Sequence, residues 1–174
     1  TSTSKITFPG GGLAALGASK NNIELIKNQM SAQTIGPNKI NQLRHIRYFK
    51  NLDGVKAHMK LHAALLRPRF AAVLEELDTI RDLGIAEWTE PKGGYFVSVD
   101  LTDGCAKRTI QLLKDAGVKM TPAGATFPYG IDPRDRNIRI APSYPPVEEL
   151  RTAMKMFCLC AKIAASEKLL EKLS

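Results

Sequence analysis

The first residues of the chain combine hydroxyl groups, a lysine and a glycine-rich turn. Ser2 and Ser4 immediately precede Lys5, and the segment Phe8-Pro9-Gly10-Gly11-Gly12 follows. Hydroxyls and the exposed backbone N–H groups of glycine-rich turns bind oxyanions such as phosphate. A lysine can form a Schiff base with an aldehyde if its environment lowers its pKa. The segment is therefore a candidate for holding a phosphate and presenting an amine, although an exposed Ser/Thr-rich terminus with a glycine linker has the same composition.

A second candidate is Arg139, which lies in the segment Asn137-Ile138-Arg139-Ile140-Ala141-Pro142-Ser143. The alternation predicts a strand that places Arg139 on the face opposite Ile138 and Ile140. A guanidinium on a rigid strand can bind a carboxylate through two parallel hydrogen bonds. Taken alone, a surface arginine on an edge strand would show the same pattern.

Two glycine-containing turns lie beside aromatic residues and complete the set of motifs. They are Pro91-Lys92-Gly93-Gly94-Tyr95-Phe96 and Thr121-Pro122-Ala123-Gly124-Ala125-Thr126-Phe127. In their order and separation, the four segments together resemble the C-terminal part of the class I/II aminotransferases, which are pyridoxal-phosphate-dependent enzymes of fold type I. The resemblance implies an α/β fold, made of the end of the large cofactor domain and the small C-terminal α/β domain.

The resemblance also implies roles for individual residues. Lys5 would hold pyridoxal 5′-phosphate as a Schiff base and carry the proton between substrate and cofactor. Ser2 would bind the cofactor phosphate with help from Ser4, and Arg139 would bind the substrate α-carboxylate. The implied reaction moves an amino group from an amino acid to a 2-oxo acid.

Thr34 and Asn38 lie where, in the family, a loop reaches toward the cofactor of the partner subunit. The resemblance therefore implies a homodimer with shared active sites, while helix capping is the simpler explanation of these two residues. The sequence departs from the family pattern at Gly12 and Leu13, because most members carry a phosphate-binding arginine seven or eight residues after the lysine. It resembles a subgroup whose phosphate site uses more hydroxyls and backbone N–H groups.

The resemblance covers nearly all 174 residues but only the later portion of a family member. We expect residues 1–52 to end the large domain, 53–83 to form a long connecting helix, and 84–174 to form the small domain. Since the preceding part of a family member supplies most cofactor contacts, this chain alone is not expected to bind the cofactor normally.

Hydrophobic spacing, caps and breakers predict these elements: helices over 21–33, 38–49, 53–83 (kinked or divided at Pro68), 105–116 and from Pro146 onward, and strands over 85–88, 95–101, 118–121 and 137–141.

Charge and composition indicate which partners and which cellular location the sequence favours. The formal charge of +8 would suit a polyanionic partner, and ten basic or histidine residues lie between Arg44 and Arg69 with one acid among them. No known nucleic-acid-binding motif accompanies them, so we interpret them as a solvated helix face.

No apolar run approaches the ~20 residues of a membrane span. Three cysteines, an odd number, favour a reducing compartment, and we expect a cytoplasmic protein.

Other interpretations remain open from the residues alone. His58 and His62 share a helix face, but no further ligand completes a metal site nearby, and we predict none. Another fold type I reaction, such as that of a β-lyase or a decarboxylase, would use the same fold. A different class is an aminotransferase-like sensor domain fused to a DNA-binding domain in a transcriptional regulator. A scaffold that dimerises without chemistry is the last alternative.

Overall fold

The structure is a computed structural model that describes residues 1–173, so Ser174, the last residue of the expected small domain, lies outside the described residues. The chain divides into two units, residues 1–63 and the part from Ala64 onward. The helices are α1 (Lys20–Ser31), α2 (Lys39–Phe49), α3 (Leu52–Asp78), α4 (Ala106–Asp115) and α5 (Val147–Leu173), and the strands are β1 (Ala86–Trp88), β2 (Val97–Leu101) and β3 (Asn137–Ile140).

Helix α2 begins after Asn38, as predicted, whereas α1 begins at Lys20, one residue before its predicted start. The Ser19 hydroxyl accepts a hydrogen bond from the Asn22 N–H at 3.4 Å, at the start of α1. The Asn38 side chain accepts one from the Asn41 N–H at 2.9 Å, at the start of α2. Each bond satisfies one of the N–H groups that the first turn of a helix leaves without a partner.

The structure bears on two features predicted for the long helix α3, its continuity at Pro68 and its C-terminal end. The helix continues through Pro68 without being divided, although a proline removes one hydrogen bond from the ladder. It ends at Asp78 rather than Leu83, and a short 3-10 turn over Arg81–Leu83 follows. Gly84 ends that turn with φ +65°, a conformation that glycine adopts without steric cost.

The second unit is built on a three-stranded antiparallel sheet of order β1-β2-β3. Val99 of β2 pairs with Trp88 on one side and with Ile138 on the other. Alternation along the strands buries one face of the sheet against the helices, as the period of two predicts. The core is formed by side chains including Leu77, Ile80, Val97, Val99, Leu113, Ile138, Met154 and Phe157, all fully buried.

The strand predicted over 118–121 is absent. Gly117 takes φ +82°, the Gly117 N–H donates to the Lys114 carbonyl at 3.0 Å, and the Val118 N–H donates to the Leu113 carbonyl at 2.8 Å. These two bonds cap α4 in the Schellman pattern. Val118 and Met120 pack against the core without joining the sheet. The apolar alternation of Val118 and Met120 therefore reflects side-chain packing after a helix cap. A strand with one buried face has the same alternation, which is why the sequence predicted a strand here.

All three cysteines, Cys105, Cys158 and Cys160, are buried and unpaired, as expected for small apolar residues. The Cys158 thiol donates to the Glu76 carbonyl at 3.3 Å, and burial raises the pKa of Cys158 to about 11. Among residues 1–173, no helix is both long enough and apolar enough to cross a bilayer.

Candidate functional site

The lysine segment is a tight hairpin whose tip is a single helical turn. The backbone of Thr3 donates to the Leu13 carbonyl at 2.7 Å, and the N–H of Ala15 donates to the Thr1 carbonyl at 3.0 Å. At the tip, the N–H groups of Ile6 and Thr7 both donate to the Thr3 carbonyl, at 2.8 and 2.9 Å. Lys5 is therefore the central residue of a closed turn, not part of a loose terminus.

The two serines converge beside this turn. The hydroxyl oxygens of Ser2 and Ser4 lie 2.9 Å apart, and the Ser4 N–H donates to the Ser2 hydroxyl at 3.2 Å. Both side chains and that of Lys5 are exposed. Two adjacent hydroxyls next to a cationic side chain form an arrangement that can bind an oxyanion.

Gly12 allows the returning strand of the hairpin to approach Ser4. A Cβ atom at Gly12 would overlap the hydroxyl and the backbone of Ser4, so any side chain here would displace the serine. The next residue, Leu13, uses its N–H to donate to the Thr3 hydroxyl at 2.8 Å. Gly12 is thus one of the two positions at which most family members carry an arginine, and it makes a close backbone contact that only glycine permits.

Thr34 and Asn38 have local hydrogen bonds of their own. The Thr34 hydroxyl donates to the Gly36 carbonyl at 2.8 Å, which closes a small turn between α1 and α2. Asn38 is the N-cap of α2, so the expectation of capping is confirmed for this residue. Both side chains are exposed on the described surface.

Arg139 lies on β3 in the second unit, opposite Ser98 of β2. Its guanidinium carbon lies 4.4 Å from the centre of the Phe96 ring, a stacked geometry that fixes the plane of the guanidinium. The Nε atom is buried and has no hydrogen-bond partner among residues 1–173. A buried N–H group without a partner costs ~1–3 kcal/mol, and an anion bound at Arg139 would remove that cost.

A buried polar network holds the start of β3. The carboxylate of Asp132 accepts hydrogen bonds from the N–H groups of Arg134, Arg136 and Asn137 at 3.0, 2.8 and 2.8 Å. The Asn137 side chain accepts from the Thr126 hydroxyl, and it donates to the side chains on β2 at 2.9 and 2.8 Å. Asn137 is two residues before Arg139, so this network sets the position from which the arginine projects.

The pKa of Asp132 is lowered from its ordinary value of 3.8. Desolvation, the largest single influence, raises this pKa, but the hydrogen bonds from the N–H groups of Asn137, Arg136 and Arg134 together outweigh it. A lowered pKa in the folded state means that the carboxylate stabilises the fold above pH 3.8, and that this stabilisation is lost as the pH falls through the lower folded-state value.

Asp132→Asn is expected to reduce the free energy of unfolding at neutral pH by about 1.5–3 kcal/mol, because an amide cannot accept all these bonds and places its own N–H against them. Chemical denaturation at neutral and at acid pH measures the effect, and the difference between the two proteins should shrink in acid. The control is Asp103→Asn, which removes an exposed partner of Arg134 and should change stability little. Equal losses in both variants would contradict the role of Asp132.

His58 and His62, the pair considered for metal binding, belong to an aromatic cluster. Their ring centres lie 4.2 Å apart, and His58 Nε2 lies 3.1 Å from the Thr7 carbonyl, to which it donates. His58 also packs edge-on against Phe49, with 5.2 Å between ring centres. Within the described residues, no group of three or more His, Cys, Asp or Glu side chains could hold a metal ion.

The structure thus brings Ser2, Ser4 and Lys5 into one turn of the first unit and places Arg139 in the second. Sequence reasoning missed Asp132 as the organiser of the β3 entry, although an aspartate shortly before a turn and a strand is a signal that could have indicated it. It also missed His45, which is buried in α2. No local pattern marks a histidine whose partners lie far away in the sequence.

The whole described chain matches one family model. The model is that of the aspartate amino-transferase family, and the match extends over residues 1–173. The four motifs on which the resemblance was based all lie within the match.

Individual relatives give the same result. A Mycolicibacterium smegmatis protein provisionally named an aminotransferase is 51% identical over 97% of this chain, which corresponds to 40% of the relative. An aspartate aminotransferase of Corynebacterium glutamicum is 47% identical over 96% of this chain and 39% of its own length. A crystal structure of a provisionally named aminotransferase from Corynebacterium diphtheriae superposes with a TM-score of 0.90 at 50% identity, covering 95% of this chain and 41% of that one. The chain therefore has the fold of these proteins and spans about two fifths of their length.

Proposed function

The chain belongs to the aspartate amino-transferase family, and from this premise we propose that the full-length protein transfers an amino group from an amino acid to a 2-oxo acid with pyridoxal 5′-phosphate as cofactor. The observation that carries the proposal is the closed turn that presents Lys5 beside the paired hydroxyls of Ser2 and Ser4. A primary amine next to an oxyanion site fits a cofactor that carries an aldehyde and a phosphate.

In this proposal the phosphate is held by Ser2 and Ser4. Their hydroxyls lie 2.9 Å apart, and the glycine at position 12 keeps the returning strand close to them. No arginine stands at positions 12 or 13, so hydroxyl and backbone N–H donors take the larger share of phosphate binding. The protein thereby falls in a subgroup of the family with an uncommon phosphate site.

Lys5 has two tasks in the proposed reaction. Its amine would hold the cofactor through the aldehyde, with loss of water, and once released by the substrate amine it would accept the proton from the substrate Cα and give it back. The cofactor, when bound, supplies the electron sink for this proton transfer. The closed turn fixes the backbone from which the side chain of Lys5 reaches the reacting atoms, which favours proton transfer in a defined direction.

Arg139 is the proposed partner of the substrate α-carboxylate. Its stacked guanidinium and its buried, unpartnered Nε suit two parallel hydrogen bonds to a carboxylate. We also propose that Thr34 and Asn38 contribute to the site of a second subunit in a homodimer. A cytoplasmic location is proposed too, since the three cysteines are all unpaired.

Aspartate is the first amino donor to test, because the Corynebacterium glutamicum relative is named an aspartate aminotransferase. The full-length protein, supplied with the cofactor, is incubated with 15N-labelled aspartate and a panel of 2-oxo acids, and the products are identified by mass spectrometry. Appearance of 15N in the amino acid formed from an acceptor supports the proposal. Release of carbon dioxide or of a β-substituent without transfer of the label would instead assign the protein to the decarboxylases or β-lyases.

A further inference from the structure

The two end residues of the turn that carries Lys5 are bonded to each other, and one of them also contacts a side chain of α2. Thr3 and Thr7 each stand two residues from Lys5, one on either side. Their hydroxyl oxygens lie 3.1 Å apart, within hydrogen-bond distance. The Thr7 hydroxyl is also 2.9 Å from Nε2 of His45, a contact that spans 38 residues of sequence and is buried.

The backbone carbonyl next to the other ring nitrogen fixes the proton on His45. Nδ1 lies 2.8 Å from the Asn41 carbonyl oxygen, which can only accept, so Nδ1 carries the hydrogen. The other ring nitrogen, Nε2, faces the Thr7 hydroxyl, which also lies 3.1 Å from the Thr3 carbonyl oxygen. The Thr3 hydroxyl accepts hydrogen bonds from the Thr7 hydroxyl at 3.1 Å and from the Leu13 N–H at 2.8 Å.

His45 is also fixed by packing. Its side chain is 6% exposed, and its ring centre lies 5.0 Å from that of Phe8 and 5.7 Å from that of Phe49. Phe8 directly follows Thr7, so the same stretch of backbone is held by a hydrogen bond and by ring contacts. Asn41, one turn earlier on α2, donates its side-chain N–H to the Gly11 carbonyl at 2.9 Å. Helix α2 therefore holds both sides of the hairpin.

We propose that His45 and Thr7 are positioning residues that set the direction in which Lys5 projects, through the chain of hydrogen bonds Leu13–Thr3–Thr7–His45. The inference rests on the proposed function of Lys5. It adds that the reactive amine is aligned by a buried imidazole of α2. A group displaced by about 1 Å loses up to 10²-fold in reactivity, so a turn held at both ends has a direct effect on the reaction.

The test compares four single variants of the full-length protein. Thr7→Val replaces the hydroxyl by a methyl group of similar size, and Thr7→Ser keeps the hydroxyl. His45→Phe replaces the imidazole by a phenyl ring, which keeps an aromatic side chain and removes both nitrogens. The matched control is Thr152→Val, because among residues 1–173 the Thr152 hydroxyl bonds only the Glu148 carbonyl of its own helix, at 3.1 Å. Far-UV circular dichroism and thermal unfolding verify that the variants fold.

Two readouts are followed for Lys5. The first, made without cofactor, is the rate of acetylation of Lys5 relative to Lys20 from neutral to alkaline pH, quantified on peptides. The second is the rate at which pyridoxal phosphate becomes fixed on Lys5 by borohydride reduction. Thr7→Val and His45→Phe are expected to shift the acetylation profile and to slow fixation about tenfold, the effect of losing one hydrogen bond of about 1.4 kcal/mol. Thr7→Ser and Thr152→Val are expected to match the wild type.

The outcomes separate this proposal from the proposed function. A wild-type acetylation profile in folded Thr7→Val overturns the positioning role, as does a Thr7→Ser variant that behaves like Thr7→Val. If the wild-type protein fixes no cofactor at Lys5, the proposed function fails, and the acetylation profiles still decide whether His45 and Thr7 orient the lysine. If His45→Phe does not fold, Thr7→Val and Thr7→Ser decide alone.

Discussion

Replacing Lys5 by alanine is expected to lower the rate of amino-group transfer by the full-length protein at least about 10³-fold, because the variant loses the group that we propose as covalent attachment point and general base. Lys5→Arg is expected to be equally inactive, since a guanidinium stays protonated and cannot accept the proton from the substrate Cα. The rate of label transfer from 15N-aspartate, measured at saturating cofactor, gives both values.

The matched control is Lys20→Ala, which removes a lysine at the start of α1 in the same unit and should leave the rate close to wild type. Thermal unfolding separates loss of chemistry from loss of fold. Transfer by Lys5→Ala at more than a small fraction of the wild-type rate would show that another amine carries the reaction.

Arg139→Lys is expected to lower kcat/KM for amino-acid substrates about 10- to 100-fold. The lysine keeps the positive charge but loses the two parallel hydrogen bonds and the stacking on Phe96, and a hydrogen bond to a charged group contributes about 1.5–3 kcal/mol. The effect should fall mainly on KM, because the carboxylate is bound in the ground state and in the transition state alike.

Two comparisons make this prediction specific. A primary amine that lacks the α-carboxylate should react equally poorly with wild type and with Arg139→Lys, since neither protein has a carboxylate to bind. Arg134→Lys serves as the control substitution, because that guanidinium pairs with Asp103 at the surface, where both side chains are more than half exposed and such pairs contribute little. An unchanged KM for amino acids in Arg139→Lys would show that Arg139 does not bind the substrate α-carboxylate.

Much of the fold follows from local sequence signals. Asn38 was considered as a helix cap and is the N-cap of α2, and alternation along β3 indicated that Arg139 lies on the face opposite Ile138 and Ile140. The start of α1 was predicted at Asn21, whereas α1 starts at Lys20 and is capped by Ser19. The prediction over 118–121 was wrong because a helix cap followed by two core-packing side chains has the same apolar alternation as a strand. Pro68 did not divide α3, since a long helix can lose one hydrogen bond and continue.

The candidate site was predictable only in part, because its groups depend on contacts distant in sequence. The residues alone indicated a possible phosphate and amine site near Lys5, and the order of four motifs indicated the family. That the hydroxyls of Ser2 and Ser4 meet, and that Thr7 reaches His45 in α2, depends on how the hairpin packs on the helix. Tertiary packing of this kind leaves no periodic signal in the sequence.

The most direct test of the central claim is to reduce the full-length protein with borohydride in the presence of pyridoxal phosphate and to locate the label by mass spectrometry. The account predicts one phosphopyridoxyl group per chain, attached to the peptide that contains Lys5 and absent from Lys5→Ala. A folded full-length protein that carries no label, or carries it on other lysines with Lys5 unmodified, would contradict the account.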